Sequence, residues 1–154
     1  MRFSVTTPVG AVVEADIDEV TAPGQEGEFG VLPEHIPLMA ALKPGVLTYR
    51  TSGGGRSHVL AVGEGFLQVA PVAGTKGTGD TKPDAKPVDR VLVLVDRAVA
   101  ASGIDQAVAA KDLARAEAEI AAWKQELDGA YAALLVRRDW ALAQVNASER
   151  PASA

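Results

Sequence analysis

Residues 13–18 read Val-Glu-Ala-Asp-Ile-Asp, and this alternation of apolar and acidic side chains decides the fold class of the first half of the chain. Successive side chains of a β-strand point to opposite faces of a sheet, so the pattern predicts a strand with one buried face. The next step, Glu19-Val20, shifts the alternation by one residue, as a β-bulge does. Pro23-Gly24 then predicts a turn that ends the strand.

The same kind of pattern continues through residues 1–101. Phe3 and Val5 alternate with polar neighbours, and residues 91–95 are apolar on both faces. Between them, further strands are predicted at 46–50, 58–62 and 66–69, with a Ser-Gly-Gly-Gly hairpin loop at 52–55. Short strands at this spacing, separated by Gly and Pro, are typical of a sandwich or flattened barrel. We therefore predict a β-sandwich domain over 1–101.

Residues 74–90 differ from the predicted strands in composition. They read GTKGTGDTKPDAKPVDR, which has no apolar periodicity and is rich in Gly, Thr, Pro and Lys. This composition predicts a solvated, mobile loop, inserted near 74–87 at a connection between two strands. Because the entropy of loop closure changes slowly with loop length, we expect that residues 75–86 can be shortened to a turn without loss of assembly.

The last third of the chain has the periodicity of helices. Apolar residues recur at steps of four and three and lie on one helical face: Ala109, Leu113, Ala116, Ile120, Trp123 and Leu127. Asp105 is placed to cap this helix, and Asp128-Gly129 predicts a short turn before a second helix. Two helices so closely joined are antiparallel neighbours. The sequence therefore predicts a two-helix hairpin over 104–147, weakly held because its stripe is rich in alanine, and a disordered tail over 148–154.

Composition excludes several classes of function. The chain of 154 residues has a net charge of −5 and contains no cysteine. A net acidic protein is a poor candidate for sequence-independent nucleic-acid binding, and without cysteine there are no disulfides, thiolate nucleophiles or zinc–thiolate sites. No run of 18 apolar residues occurs, so we predict no direct membrane insertion. The start of the chain resembles neither a secretory nor a transit signal, which favours a cytoplasmic site of action.

The chain carries no recognisable catalytic constellation. Of its two histidines, His35 stands between prolines and His58 begins a predicted strand without an acidic neighbour. The patterns of nucleophilic triads, zinc hydrolases and calcium loops are missing. The acidic residues between Glu14 and Glu19 fit either a cation site or a solvated strand face. We therefore expect no catalysis by this chain alone, and we assign it no cofactor and no metal.

One stretch of the chain resembles a known family. Residues 27–47 read GEFGVLPEHIPLMAALKPGVL, and this run resembles the signature of the epsilon subunit of bacterial rotary, proton-translocating ATP synthases. The runs V-T-T-P-V-G near the start, G-E-G-F-L-Q-V at 63–69, V-L-V-L-V-D-R-A at 91–98 and Gly103-Ile104-Asp105 follow in that family's order. The resemblance covers essentially residues 1–147. It implies a β-sandwich of about ten strands followed by a C-terminal antiparallel two-helix hairpin, which agrees with the elements predicted from the residues.

The resemblance also implies a function. The chain would be a non-catalytic central-stalk (rotor) subunit whose sandwich, residues 1–101, binds the gamma subunit and the membrane c-ring. It would couple proton-driven rotation of the c-ring to ATP synthesis in the catalytic alpha/beta hexamer, at the cytoplasmic face of the bacterial inner membrane. The hairpin over 104–147 would be regulatory, because in the family its extended form blocks ATP hydrolysis. A free-standing β-sandwich adaptor and a nucleotide-sensing regulatory module are the alternatives.

The candidate interface residues lie in the 27–47 run. By resemblance, Glu28 faces the c-ring and His35 contacts the side of the gamma subunit, which is the rotating shaft. Pro33 and Lys43 belong to the same interface. The three prolines of the run cannot donate ladder hydrogen bonds, so we expect a stiff, irregular surface rather than a regular strand. Glu34 stands where the family commonly has Gly, which adds a charge beside His35. Alternatively, Glu28 and His35 only cap local backbone groups.

Candidate residues in the hairpin also follow from the resemblance. Arg137 and Arg138 are the candidates for inhibitory contacts with an acidic surface of the catalytic subunits, because guanidinium groups pair well with carboxylates. A solvated basic patch on the second helix is the alternative. Some family members bind ATP through an I-D-x-x-R-A motif. Ile104 and Asp105 match this motif but Val108 stands in place of the arginine, so we predict weak or absent nucleotide binding.

Overall fold

The computed structural model describes residues 1–71 and 89–150. These ranges contain nine strands: β1 (Arg2–Thr7), β2 (Gly10–Gly24), β3 (Gly27–Val31), β4 (Leu38–Leu42), β5 (Gly45–Thr51), β6 (Ser57–Val62), β7 (Gly65–Pro71), β8 (Asp89–Val95) and β9 (Ala98–Ala100). A 3-10 helix, Ala101–Gly103, leads into α1 (Gln106–Ala121) and α2 (Gly129–Glu149). The predicted β-sandwich followed by two C-terminal helices is confirmed. The insertion predicted near 74–87 and the end of the predicted tail, 151–154, lie outside the described residues.

The strands form two layers that share β2. Neighbouring strands pair in the order β1-β8-β7-β4-β2-β5-β6-β9, while β3 pairs with β2 and β1 also pairs with β2. The first half of β2 pairs with β1, and its second half pairs with β3 and β5. The register against β5 shifts between Ile17 and Glu19, which confirms a bulge beside the predicted step. A bulge bends its strand, and this one lies where β2 passes from one layer to the other.

One apolar core lies between the layers. In β8, Val91, Val93 and Val95 are buried, and the residues between them point to the outer face. The largest fully buried side chains come from both layers: Phe3, Ile17, Leu42, Leu47, Leu60 and Leu67. Burying a side chain of this kind contributes roughly 1.5–3 kcal/mol relative to leaving it exposed. The alternation that predicts the strands is therefore also what builds the core.

The 27–47 run is more regular than its prolines predict. Two of its stretches, β3 and β4, pair as regular antiparallel strands, and residues 32–37 between them are irregular. The expectation of an irregular run was wrong because the prolines lie in the connections on either side of β4, where no ladder donor is lost. The turn predicted at Pro23-Gly24 lies two residues later, at 25–26, because both residues still pair with β3.

Helix α1 is shorter than its apolar stripe predicts. It ends at Ala121, so the connection to α2 spans 122–128 rather than a short turn. The indole N–H of Trp123 donates to the carbonyl of Glu126 (3.2 Å), and the Trp123 ring packs against Tyr131 with 5.6 Å between centroids. These contacts close the chain into a compact connection, which the helical spacing of the apolar residues does not reveal.

Both helices begin at an aspartate. Asp105 caps α1, as predicted, by accepting the N–H of Val108 (3.1 Å). Asp128 caps α2 by accepting the N–H groups of Ala130 and Tyr131 (3.0 and 3.2 Å). Such caps each stabilise a helix by about 1 kcal/mol. Helix α2 continues to Glu149, so the first residues of the tail predicted over 148–154 are helical.

The hairpin docks on the sandwich through α2, while α1 packs on α2. A small apolar cluster joins α2 to the outer face of β5 and β6: Val46, Val59, Ala61, Ala143 and Ala147. Trp140 and Ile104 pack at the edge of this cluster. Because most of these side chains are small, the contact buries much less apolar area than the core of the sandwich. The hairpin is therefore the more weakly attached part of the molecule.

Candidate partner-binding surfaces

A tight turn between β3 and β4 presents His35. The backbone N–H of His35 donates to the carbonyl of Leu32 (3.2 Å), with Pro33 and Glu34 as the two central residues. Glu34 has a φ of 67°, which is the signature of a type II turn with proline in its first central position. The backbone N–H of Glu34 donates to the carboxylate of Asp89, so the turn is fastened to the start of β8.

The positive φ of Glu34 gives a stability prediction. We expect Glu34→Gly to raise the free energy of unfolding by about 0.5–1 kcal/mol. The left-handed conformation costs a non-glycine residue about 1–2 kcal/mol, and glycine avoids this cost. Part of the gain is offset because glycine loses more backbone entropy on folding. The backbone donor to Asp89 is retained in this variant. The denaturation midpoint should rise at an unchanged m-value. Glu34→Ala removes the same charge but keeps Cβ, and an equal gain in that variant would attribute the effect to charge instead.

The four residues proposed for the c-ring and gamma interface fall into two groups. Glu28 pairs with Pro23 in the ladder, and the backbone N–H of Lys43 donates to the carbonyl of Pro23 (3.0 Å). Glu28 and Lys43 therefore lie at one end of the sandwich. Pro33 and His35 lie beyond the opposite end of β3, in the turn fastened to β8. The structure does not bring Glu28 and His35 together.

Local contacts of these side chains bear on the alternative that they only cap backbone groups. Nδ1 of His35 lies 2.8 Å from the carbonyl oxygen of Ile36, which is a contact of that kind. The carboxylate of Glu28 instead lies 3.7 Å from the guanidinium of Arg150, the C-cap residue that follows α2. About half of each side chain in this ion pair is exposed.

An exposed apolar strip covers the outer face of β4, β7 and β8. Met39 is 66% exposed, Phe66 55% and Leu94 48%. Phe66 pairs with Leu94 on one side and with Ala41 on the other, and Met39 lies two residues before Ala41 on the same face, opposite Gln68. Of its members, the sequence indicates Leu94 through the run 91–95, which is apolar on both faces, but it gives no sign that Phe66 and Met39 are surface residues.

Arg137 and Arg138 are both engaged inside the hairpin. Arg137 donates to the carboxylate of Glu119 (3.0 Å), which also accepts from Arg115 (3.2 Å). The hydrogen bond from Arg137, aided by Arg115, lowers the pKa of the Glu119 carboxyl below its usual value. Arg138 donates through two nitrogens to Asp139 (2.8 and 2.6 Å). Both guanidinium groups are partly exposed, but each is paired with a carboxylate of the hairpin, so they do not form an unpaired basic patch.

The residues that match the nucleotide motif have local structural contacts. Asp105 uses its carboxylate to cap α1, and Ile104 packs at the edge of the cluster beneath α2. Val108, at the position of the missing arginine, is half exposed. Local contacts therefore explain the presence of Ile104 and Asp105 without a bound nucleotide. Weak or absent nucleotide binding stays a prediction.

Other polar features of the described ranges are not assembled into a site. Within 1–71 and 89–150, no group of three or more acidic or histidine side chains is placed to hold a metal ion. In the acidic stretch, Glu19 pairs with Arg50 (2.9 Å). His58 stacks on Tyr49 at 4.8 Å, and burial raises the pKa of the Tyr49 hydroxyl. In the same part of the chain, neither helix combines the length and apolarity that crossing a bilayer requires.

Comparison with known proteins agrees with this architecture. The family model for the "ATP synthase, Delta/Epsilon chain, beta-sandwich domain" matches residues 1–73. The ATP synthase epsilon chain of Anaeromyxobacter sp. (strain K) is 44% identical over 105 residues, which cover 68% of this chain and 65% of that protein. The match thus spans slightly less than two thirds of that relative. The epsilon chain of Nitratidesulfovibrio vulgaris (strain DP4) is 35% identical over 138 residues, which cover 90% of this chain and 89% of that one.

Solved structures share the fold. A chain from the structure of the Euglena gracilis mitochondrial ATP synthase, OSCP/F1/c-ring in rotational state 1, has a TM-score of 0.70 at 21% identity, covering 96% of this chain and 80% of that chain. A chain from the central stalk and c-ring of the Tetrahymena thermophila mitochondrial ATP synthase has a TM-score of 0.52 at 16% identity. These likenesses concern the fold alone. Because a relative named as an epsilon chain is 35% identical across nine tenths of the sequence, the chain belongs to the family of ATP synthase epsilon chains.

Proposed function

We propose that this chain is a non-catalytic central-stalk (rotor) subunit of a bacterial ATP synthase. In this proposal the sandwich binds the gamma subunit and the c-ring, and it couples proton-driven rotation of the ring to ATP synthesis in the alpha/beta hexamer. The subunit lies peripherally, at the cytoplasmic face of the inner membrane. Family membership supports the assignment to the stalk, and the surfaces of the molecule support the choice of partners.

The apolar strip of Met39, Phe66 and Leu94 is the observation that carries the proposal. The outer face of β5 and β6 is covered by α2, whereas on the outer face of the other layer the side chains of this strip are about half exposed or more. Large side chains that stand together in the open indicate an interaction surface, and aromatic residues commonly contribute most to binding. We assign this face to gamma, because a shaft must hold the sandwich firmly enough to transmit torque.

The two ends of β3 fit contacts with different partners. Glu28 and Lys43 offer opposite charges at one end, and polar loops of a c-ring can pair with such groups. Pro33 and His35 offer a rigid turn at the other end, which suits a contact on the shaft side. The separation of the two groups supports one role for each, Glu28 toward the ring and His35 toward the shaft.

The hairpin suits a regulatory role. Its docking contact is a small cluster of alanines and valines with Trp140 and Ile104 at the edge, so docked and released states can differ by only a few kcal/mol. On release, Arg137 and Arg138 would exchange Glu119 and Asp139 for carboxylates of the catalytic subunits. Exposed ion pairs of this kind contribute little, so their exchange costs little. This is how we propose that an extended hairpin inhibits ATP hydrolysis.

Copurification tests the assignment. A tagged chain, expressed together with gamma and the catalytic hexamer, should retain both partners through affinity and size-exclusion steps. A chain that elutes alone while gamma and the hexamer assemble without it would favour the free-standing adaptor. Tight binding of ATP to the isolated chain, measured by calorimetry, would favour the nucleotide-sensing module.

Shortening the chain separates coupling from regulation. We expect a chain that ends at Ser102 to support proton-driven ATP synthesis in reconstituted vesicles at close to the rate of the full chain, because the proposed contacts with gamma and the ring all lie in the sandwich. ATP hydrolysis should rise or stay unchanged, since the inhibitory arm is gone. Loss of synthesis in a shortened chain that still binds gamma would show that the hairpin belongs to the coupling contact.

A further inference from the structure

One face of α2 carries a row of side chains that contact the sandwich. Trp140, Ala143, Ala147 and Arg150 follow at steps of three, four and three, so they lie along one side of the helix. Ala143 and Ala147 supply the apolar middle of this face. At one end, the guanidinium of Arg97 lies 5.3 Å from the centre of the Trp140 ring. At the other end, Arg150 reaches Glu28 at 3.7 Å.

We propose that the ion pair between Arg150 and Glu28 acts as a latch. Through it, docking of the hairpin on the sandwich depends on whether a partner's basic group is bound to the Glu28 carboxylate. While α2 is docked, Arg150 holds the carboxylate. When a basic group of a partner takes that carboxylate, the C-terminal end of α2 loses its contact and the hairpin is released more readily. The identity of this partner as the c-ring rests on the proposed function, but the latch itself rests on contacts within the chain.

The weakness of the remaining contact makes such a latch effective. An exposed ion pair changes an equilibrium by about two- to fivefold, which is negligible against a large apolar interface. Here it acts beside a small cluster of three alanines and two valines, with Trp140 and Ile104 partly buried at its edge, so the same change is a larger fraction of the docking free energy than it would be at an interface as large as the main core. By linkage, docking of α2 must weaken the binding of a basic group at Glu28 by the same factor.

Thiol labelling of the isolated chain measures the latch. The chain contains no cysteine, so Val59→Cys introduces a single thiol beneath α2, and its labelling rate follows the opening of the hairpin. We expect Arg150→Glu to raise that rate about two- to fivefold, and the exchange of both charges, Glu28→Lys with Arg150→Glu, to restore it. Ionic strength of about 1 M should abolish the difference between wild type and Arg150→Glu.

Two controls isolate the contact. Lys111→Glu makes the same change in net charge on α1 and should leave the labelling rate unaltered. Val62→Cys places the thiol in the main core of the same strand, where labelling follows unfolding of the sandwich and should not respond to Arg150→Glu. A failure of the charge exchange to restore the rate would overturn the latch, as would an equal increase at both thiols.

A second arm separates the latch from the proposed function. Adding a purified complex of gamma with the c-ring to the Val59→Cys chain should increase labelling in the wild-type background but not further in Arg150→Glu. Binding without increased labelling would overturn the coupling of ring to hairpin. Absence of binding would contradict the proposed function, while the charge-exchange result in the isolated chain would still stand.

Discussion

Leu67→Ala should lower the free energy of unfolding of this chain by about 2–5 kcal/mol, the range for removing a fully buried leucine side chain. Leu67 has no exposed surface and packs in the main core, opposite Val93 in the ladder. Its loss leaves a cavity that the rigid strands around it close only in part. Urea denaturation followed by circular dichroism measures the change, and the midpoint should fall at an unchanged m-value.

The matched control lies on the neighbouring strand. Leu94 pairs with Phe66 on the outer face of the same two strands, so Leu94→Ala makes the same chemical change on the opposite side of the sheet. Substitutions at exposed positions usually change stability by no more than about 0.5 kcal/mol. Equal losses in the two variants would contradict the division into a buried and an exposed face.

Phe66→Glu combined with Leu94→Glu should reduce the affinity for gamma by about 30-fold or more. Loss of a central aromatic contact commonly costs about 2 kcal/mol or more, and each new carboxylate would also have to leave water without a partner. Both positions are about half exposed, so the fold should persist. Pull-down of gamma at increasing concentrations of the chain, with circular dichroism on the same samples, measures both properties.

The control for this pair lies on the hairpin. Val108→Glu with Leu142→Glu makes the same apolar-to-acidic change at two exposed positions of α1 and α2, away from the strip. This variant should retain gamma. If it loses gamma as completely as Phe66→Glu with Leu94→Glu, net charge rather than the apolar strip controls binding, and the assignment of the face is wrong.

Most of the sandwich is predictable because period-2 alternation is a local property that burial enforces. Residues 13–18 and 91–95 therefore become strands close to where the pattern places them. The sequence also shows the bulge in β2 for the same reason. Strict alternation from Ile17 would place Val20 on the exposed face, whereas Val20 is buried. The cap at Asp105 is equally local, because it depends on the four consecutive residues from Asp105 to Val108.

What the sequence does not reveal depends on contacts between distant residues. Helix α1 ends early, at Ala121, and the connection after it contains the contact of Trp123 with Tyr131, which helical spacing cannot show. The sequence does not reveal the exposed apolar strip, because the strip depends on the register that sets Phe66 beside Leu94. Glu28 and His35 are close in sequence, yet a strand separates them in space. The pairing of Glu28 with Arg150 joins residues far apart in the chain and has no signature in either segment.

The parallel pairing of β1 with β8 bears on how the chain folds as it is made. Arg2 pairs with Arg90, so the first strand must wait for a partner that is synthesised 88 residues later (90 minus 2). At roughly 5–20 residues per second, the ribosome needs about 4–18 s to supply that partner. During this interval β1 has only β2 to pair with, and its other edge can bind a neighbouring nascent chain or a chaperone. Closure of the sandwich is therefore a late step of translation, and a chain released before residue 95 leaves the ribosome with that edge open.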